Sequence, residues 1–122
     1  SKGKYIVPAP IEGKLLQSSL LAQVCVVGSG MPHAIALGTL SETAKTETKE
    51  KISGELKNIL AEVNKGLEHH EQLPKLIVVP EEWTVGNGLL TPTLKIKRKM
   101  IDASFGNQYE GWSRAAECIV FA

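Results

Sequence analysis

The chain has 122 residues, 43% hydrophobic and 22% charged, which fits one soluble domain with a modest core and leaves too little for two. The formal net charge of +1 gives no general attraction to nucleic acid or anionic lipid, so any basic site must be local and nucleic acid is not an expected partner. The two cysteines, Cys25 and Cys118, form no Cys-x-x-Cys pair and no metal-ligand spacing, and a reduced, cytoplasmic setting is the simplest reading. No apolar run has the length of a membrane span, and no signal peptide is expected. The chain opens at Ser1-Lys2-Gly3-Lys4 without an initiator methionine, and a piece of a longer protein is expected.

Taken in order, Tyr5-Ile6-Val7 is short and β-prone, and Pro10 suits the first position of a helix carrying Ile11, Leu15 and Leu16 on one face to about Ser19. Val24-Cys25-Val26-Val27 and Ala34 to Leu40 read as buried strands pairing antiparallel through Gly28-Ser29-Gly30. Those glycines lack the third one of a dinucleotide fingerprint, because position 33 is His and Pro32 interrupts, so a turn is the expectation. Ile52, Leu56, Ile59, Leu60, Val63 and Leu67 recur at helical spacing. They predict the longest helix, capped by Ser41 or Thr43, with Thr46, Lys49, Glu50 and Lys57 in water and Gly66 near its end.

Leu76-Ile77-Val78-Val79 reads as a third strand closed by Pro80, residues 81–94 as irregular, and Ile101, Phe105, Tyr109 and Trp112 as one face of a last helix beginning after Arg98. Ile119-Val120-Phe121 could add a terminal strand. The sum is an α+β domain, a small sheet of about three strands with helices packed on it and an N-terminal hairpin or loop.

Most candidate chemistry is weak. His69 and His70 are adjacent and diverge on a helix, which suits a surface or helix-end role better than a metal site. Nothing orients Glu81 and Glu82 toward acid–base work, Trp83 and Trp112 read as packing residues, and Cys25 lies in an apolar run that favours an inert thiol. No functional case attaches to His33. The informative stretch is Gly86 to Arg98, a Gly-Thr-Pro loop that delivers lysines beside apolar residues. A lysine there is a compact charge on a mobile stem, able to meet phosphate or carboxylate oxygens. On composition alone, Lys95, Lys97, Arg98 and Lys99 read more readily as a solvated basic helix start.

Asn87-Gly88-Leu89-Leu90-Thr91-Pro92-Thr93-Leu94-Lys95-Ile96-Lys97-Arg98 is similar to the lysine motif that closes adenylate-forming enzymes, in the form found in long-chain fatty acid–CoA ligases. Gly3-Lys4-Tyr5-Ile6-Val7-Pro8-Ala9-Pro10-Ile11-Glu12 resembles the loop and helix entry just after that family's hinge. Leu73-Pro74-Lys75 through Trp83-Thr84 also resembles family sequence, so the likeness runs roughly from Gly3 to Trp112.

The resemblance implies the small, mobile C-terminal domain of an ATP-dependent acyl-CoA synthetase. ATP and a fatty carboxylate give an acyl-adenylate and pyrophosphate, and the CoA thiol then gives acyl-CoA and AMP. It implies Lys95 as the adenylation lysine, with Lys97 as the competing assignment; Arg98 keeps its reading as a structural residue. Gly3, Lys4 and Tyr5 are implied on the face serving the CoA step, and Glu12 at the first helix start, where an acidic group suits the dipole. ATP, Mg²⁺ and CoA belong to the whole enzyme. The implied partners are an N-terminal adenylation domain of the same polypeptide and a fatty acid, with peripheral membrane contact compatible with such a substrate. A separate domain of this kind is expected to fold but not to catalyse. The motif departs from the commoner one, which has Ser-Gly where this chain has Thr93-Leu94. Two alternatives stay open: a domain of another adenylate-forming ligase, and an interaction module that kept the fold without the chemistry.

Overall fold

A computed structural model describes residues 6–28 and 30–122. Helix α1 spans Pro8–Leu15, strand β1 Leu21–Val27, strand β2 Ile35–Leu40, helix α2 Lys49–Lys65 and strand β3 Leu76–Val78. Helix α3 spans Arg98–Phe105, helix α4 Tyr109–Ser113 and strand β4 Ile119–Phe121. The strands form one sheet in the order β1-β2-β3-β4. β1 and β2 are antiparallel, while β2–β3 and β3–β4 are parallel. This is the expected α+β architecture, with the terminal strand included and four strands in place of about three.

The strands read as unbroken apolar runs because both faces of the sheet are covered. Side chains alternate along each strand. Val24, Val26, Ala36, Leu76 and Val78 share one cluster with Ile11 and Leu15 of α1 and Ile52, Leu56, Leu60 and Val63 of α2. Cys25, Val27, Ile35, Leu37, Ile77 and Val79 face the other way, onto Trp83, Leu89, Leu90, Ile101 of α3 and Tyr109 of α4. The α2 stripe is therefore as expected through Val63, with Ile59 half-buried at its margin, while Leu67 lies past the Gly66 C-cap, outside the helix, and packs half-buried on the same cluster.

Several boundaries differ from the sequence expectation. α1 starts at Pro8, not Pro10; both prolines fall in the first turn, where no N–H has an intrahelical partner. It ends at Leu15, so Leu16 occupies the C-cap and is exposed. Ile6 and Val7 join no strand, and Val7 is extended as the N-cap. α2 is capped by Thr48, whose Oγ1 accepts from Lys51 N at 3.2 Å. Ser41 and Thr43, expected to cap it, lie earlier: Thr43 is the N-cap of the short 3-10 turn Ala44–Thr46, without a side-chain capping bond, and Ser41 Oγ accepts from Ala44 N. The last helix is interrupted: α3 passes through a 3-10 turn, Gly106–Gln108, into α4. Lys75, buried just before β3, donates through Nζ to the carbonyls of Ala115 and, at 2.6 Å, Glu117, which fastens the segment leading into β4.

Candidate functional site

Residues 81–94 belong to no strand or helix, yet they are not loosely held. Asn87 organises the stretch: its Oδ1 accepts from Thr84 N at 2.9 Å and its Nδ2 donates to Glu82 O at 3.0 Å. Asn87 N donates to Thr84 Oγ1, and the amides of Leu89 and Leu90 both donate to Thr84 O. Gly88 takes φ +82°, a value that a glycine accepts without penalty. The side chains of Leu89 and Leu90 are buried against the sheet.

From that base a tight hairpin rises. Leu90 and Ile96 form an antiparallel bridge, and Lys97 N donates to Leu89 O at 2.9 Å. Thr91 closes the tip. Its amide donates to Lys95 O at 2.8 Å, its carbonyl accepts from Leu94 N at 2.8 Å, and its Oγ1 accepts from Lys95 N at 3.0 Å. The backbone on either side of Lys95 is thus set by one threonine. Leu94, beside it, sits at φ +66° and is 69% exposed. A leucine in the left-handed region costs about 1–2 kcal/mol. Lys95 is itself exposed, and among the described residues no carboxylate lies within ion-pair distance of its ammonium. Lys97 is also exposed, but it stands at the hairpin base as the N-cap of α3. The expected catalytic lysine is therefore offered at a tip, and its competitor is the residue built into the helix start.

The hairpin runs directly into Arg98, the first residue of α3, whose guanidinium grips Glu12 of α1. Nη1–Oε2 is 2.6 Å and Nη2–Oε1 is 2.7 Å, a two-pronged pair. Glu12 is only 7% exposed, and its Oε2 also accepts from Val26 N at 2.7 Å. β1 is an edge strand, and Ala36, opposite Val26, directs its own N–H to Lys75 O. Val26 therefore points its amide out of the sheet, and the carboxylate satisfies a donor that no strand reaches. The hydrogen bond to Glu12 holds the Arg98 pKa above its ordinary value against a smaller desolvation effect. Arg98 Nη1 also lies 3.6 Å from Cys25 Sγ. Burial, the largest cause, pushes the Cys25 thiol up to about 12 despite that neighbouring cation, so Cys25 is the inert thiol expected of its apolar run.

None of the described histidines belongs to this site. Gly3, Lys4 and Tyr5 lie outside the described residues. His69 and His70 occupy a 3-10 turn, His69–Glu71, closed by Glu68 and Glu71, and the His69 ring meets His33 edge-on at 5.8 Å. Among the described residues no three His, Cys, Asp or Glu side chains converge to hold a metal ion. Glu81 and Glu82 are exposed, while Trp83 is buried as a packing residue. An open groove of about 640 Å³ between the β1–β2 turn and α3–α4, lined by Met31, Asp102, Tyr109 and Glu110 among others, includes none of residues 89–97.

The family model for the AMP-binding enzyme C-terminal domain matches residues 1–112. This chain belongs to that family. Long-chain-fatty-acid–CoA ligase FadD15 of Mycobacterium tuberculosis is 31% identical over 125 residues, covering 88% of this chain and 21% of that protein. Long-chain-fatty-acid–CoA ligase 5 of Mus musculus is 32% identical over 137 residues, covering 96% and 20%. The AMP-binding C-terminal domain thus spans about a fifth of the length of these curated relatives. Among solved structures, the A-PCP didomain of carboxylic acid reductase from Segniliparus rugosus in complex with AMP superposes with a TM-score of 0.75 at 24% identity, over 91% of this chain and 16% of that one. That likeness is one of fold.

Proposed function

We propose that this domain is the mobile lid of an ATP-dependent long-chain fatty acyl-CoA synthetase and that Lys95 is its adenylation lysine. The observation that carries the reading is the setting of Lys95: an ammonium at an exposed tip with no carboxylate partner among the described residues, its backbone pinned by Thr91 and its base seated in the core. A group meant for a neighbouring active site needs that combination of reach and fixed origin. The ammonium fits oxygens of the fatty carboxylate and of the ATP α-phosphate. It would hold the two anions together and meet the charge that builds as they react, where a positioned cation contributes most. The names of the relatives, long-chain-fatty-acid–CoA ligases, support the acid and the thiol.

ATP and CoA are substrates of the whole enzyme, and the rest of the polypeptide supplies the adenylation domain against which this one closes. ATP chemistry brings Mg²⁺, and no described residue is assigned to it. Gly3, Lys4 and Tyr5 are assigned, by family resemblance, to the face used when CoA attacks. Cytoplasmic placement with peripheral membrane contact suits the substrate; among the described residues no helix is long and apolar enough to cross a membrane.

The test is Lys95→Ala in the full-length enzyme, assayed in two half-reactions. Fatty-acid-dependent ATP–pyrophosphate exchange is expected to fall on the order of 10²–10³-fold, while CoA attack on supplied acyl-adenylate persists. Normal exchange would refute the assignment of Lys95 and direct attention to Lys97.

A further inference from the structure

The Glu12 carboxylate joins three elements that the chain order keeps apart. It rises from α1, which packs on one face of the sheet. It receives the outward amide of Val26 on the free edge of β1. It holds Arg98 at the start of α3, which packs on the opposite face. Its Arg98 bond is therefore a strap around the sheet edge, and the residue it fastens lies three positions after Lys95. Ile96 is bridged to Leu90 and Lys97 N to Leu89 O, so little slack separates Arg98 from the hairpin tip. The α3 end of this connection has weak local support. The N-cap of α3 is Lys97, which makes no side-chain capping bond, and the first turn holds no acidic residue. Without the Glu12 fork, the entry to α3 would rest on the Lys97 N–Leu89 O bond before it and on Ile101 packing three residues further on.

We infer that Glu12 is a positioning residue for Lys95, acting through Arg98 to fix where the lysine hairpin leaves the sheet edge; the inference rests on the functional reading above. Glu12 does not touch substrate. Its two oxygens are occupied by Arg98 and Val26, and it is buried. Its contribution is angular: the two-pronged geometry resists rotation of the α3 entry, which a single contact would not. A displacement of about 1 Å at a reacting group costs on the order of 100-fold, so a hairpin left to pivot on its base is expected to show the loss in the lysine-dependent step.

The variant that separates positioning from folding is Glu12→Gln combined with Arg98→Met in the full-length enzyme. Gln keeps an oxygen for Val26 N–H, and Met matches the stem of Arg without leaving a charge unpaired, so the fold is expected to persist with its thermal midpoint near that of the parent. ATP–pyrophosphate exchange is expected to fall about 10- to 100-fold, while CoA attack on supplied acyl-adenylate changes little. Arg98→Lys, which keeps the charge and loses the fork, is expected to lie between. The decisive arm repeats the pair of substitutions in a Lys95→Ala background. If the strap acts through the lysine, it causes no further loss there, because interactions working as a unit are not additive.

An equal loss in both backgrounds overturns the inference, as does undiminished exchange in the folded double variant while Lys95→Ala alone abolishes it. Normal exchange in Lys95→Ala sinks the functional reading and this inference with it. A lysine-dependent exchange that ignores the strap sinks this inference alone.

Discussion

Among the described residues the backbone takes positive φ at Gly28, Gly30, Gly88 and Leu94, and the β1–β2 turn and the lysine hairpin solve that problem differently. Between β1 and β2 the positive angles fall on glycines, Gly28 at φ +109° and Gly30 at φ +84°. At the lysine hairpin the corresponding position is Leu94, at φ +66° and largely exposed. The first turn only has to reverse the chain beneath packed strands, and residues without Cβ do it at no steric cost. In the proposed function the second presents a side chain. There a leucine is held in a disfavoured conformation by the bonds from Thr91 to Leu94 and Lys95. Backbone strain concentrates where the surroundings over-determine a conformation, and this hairpin is such a place.

The sharpest way to test that contrast is Lys95→Ala. Exchange is expected to fall on the order of 10²–10³-fold, while urea unfolding of the 122-residue domain is unchanged within about 0.5 kcal/mol, as for an exposed side chain. Gly28→Val should do the reverse. Its Cβ would sit 3.2 Å from Ala34 Cα and 3.2 Å from Met31 Sδ, on a backbone angle that L residues avoid. A destabilisation of about 2–4 kcal/mol in urea unfolding is expected.

Thr91→Val is the intermediate case, losing the oxygen that accepts from Lys95 N. Stability should drop by about 1 kcal/mol, and exchange should fall several-fold more than CoA attack on supplied acyl-adenylate; equal falls would mean that the threonine serves folding alone. Leu94→Gly is expected to have a small effect on folding, of opposite sign to that of Thr91→Val. Relief of about 1–2 kcal/mol of strain is opposed by roughly 0.4–1 kcal/mol of added unfolded-chain entropy. The net is a stabilisation of about 1 kcal/mol or less, read from the same unfolding curves. A clear destabilisation would show that the leucine side chain, not the turn, is what the position requires.

Much of this was legible in advance. Strand runs such as Val24 to Val27 and Leu76 to Val79 are short, apolar and bounded by Gly or Pro, so their burial follows from local composition. The α2 stripe follows from the spacing of Ile52, Leu56, Leu60 and Val63. The candidate site was legible through its motif, Thr91 to Arg98, and not through any property of Lys95 alone, since Lys95, Lys97, Arg98 and Lys99 read alike on composition. Less legible were the helix ends. Ser41, Thr43 and Thr48 are all competent caps, and which one starts α2 depends on where the sheet lets the helix dock.

The sequence by itself determined the fold class, the burial of the central strands and the family to which the lysine motif belongs, because each rests on short-range pattern. Only the tertiary structure decided that Glu12, taken from its position as a helix-start acid, is the partner of Arg98 86 residues away. The physical reason is that a carboxylate is stabilised by whatever donors surround it. Here those are an amide left over at the sheet edge and a guanidinium arriving from the opposite face, and neither exists as a neighbour until the sheet has formed and been covered on both sides.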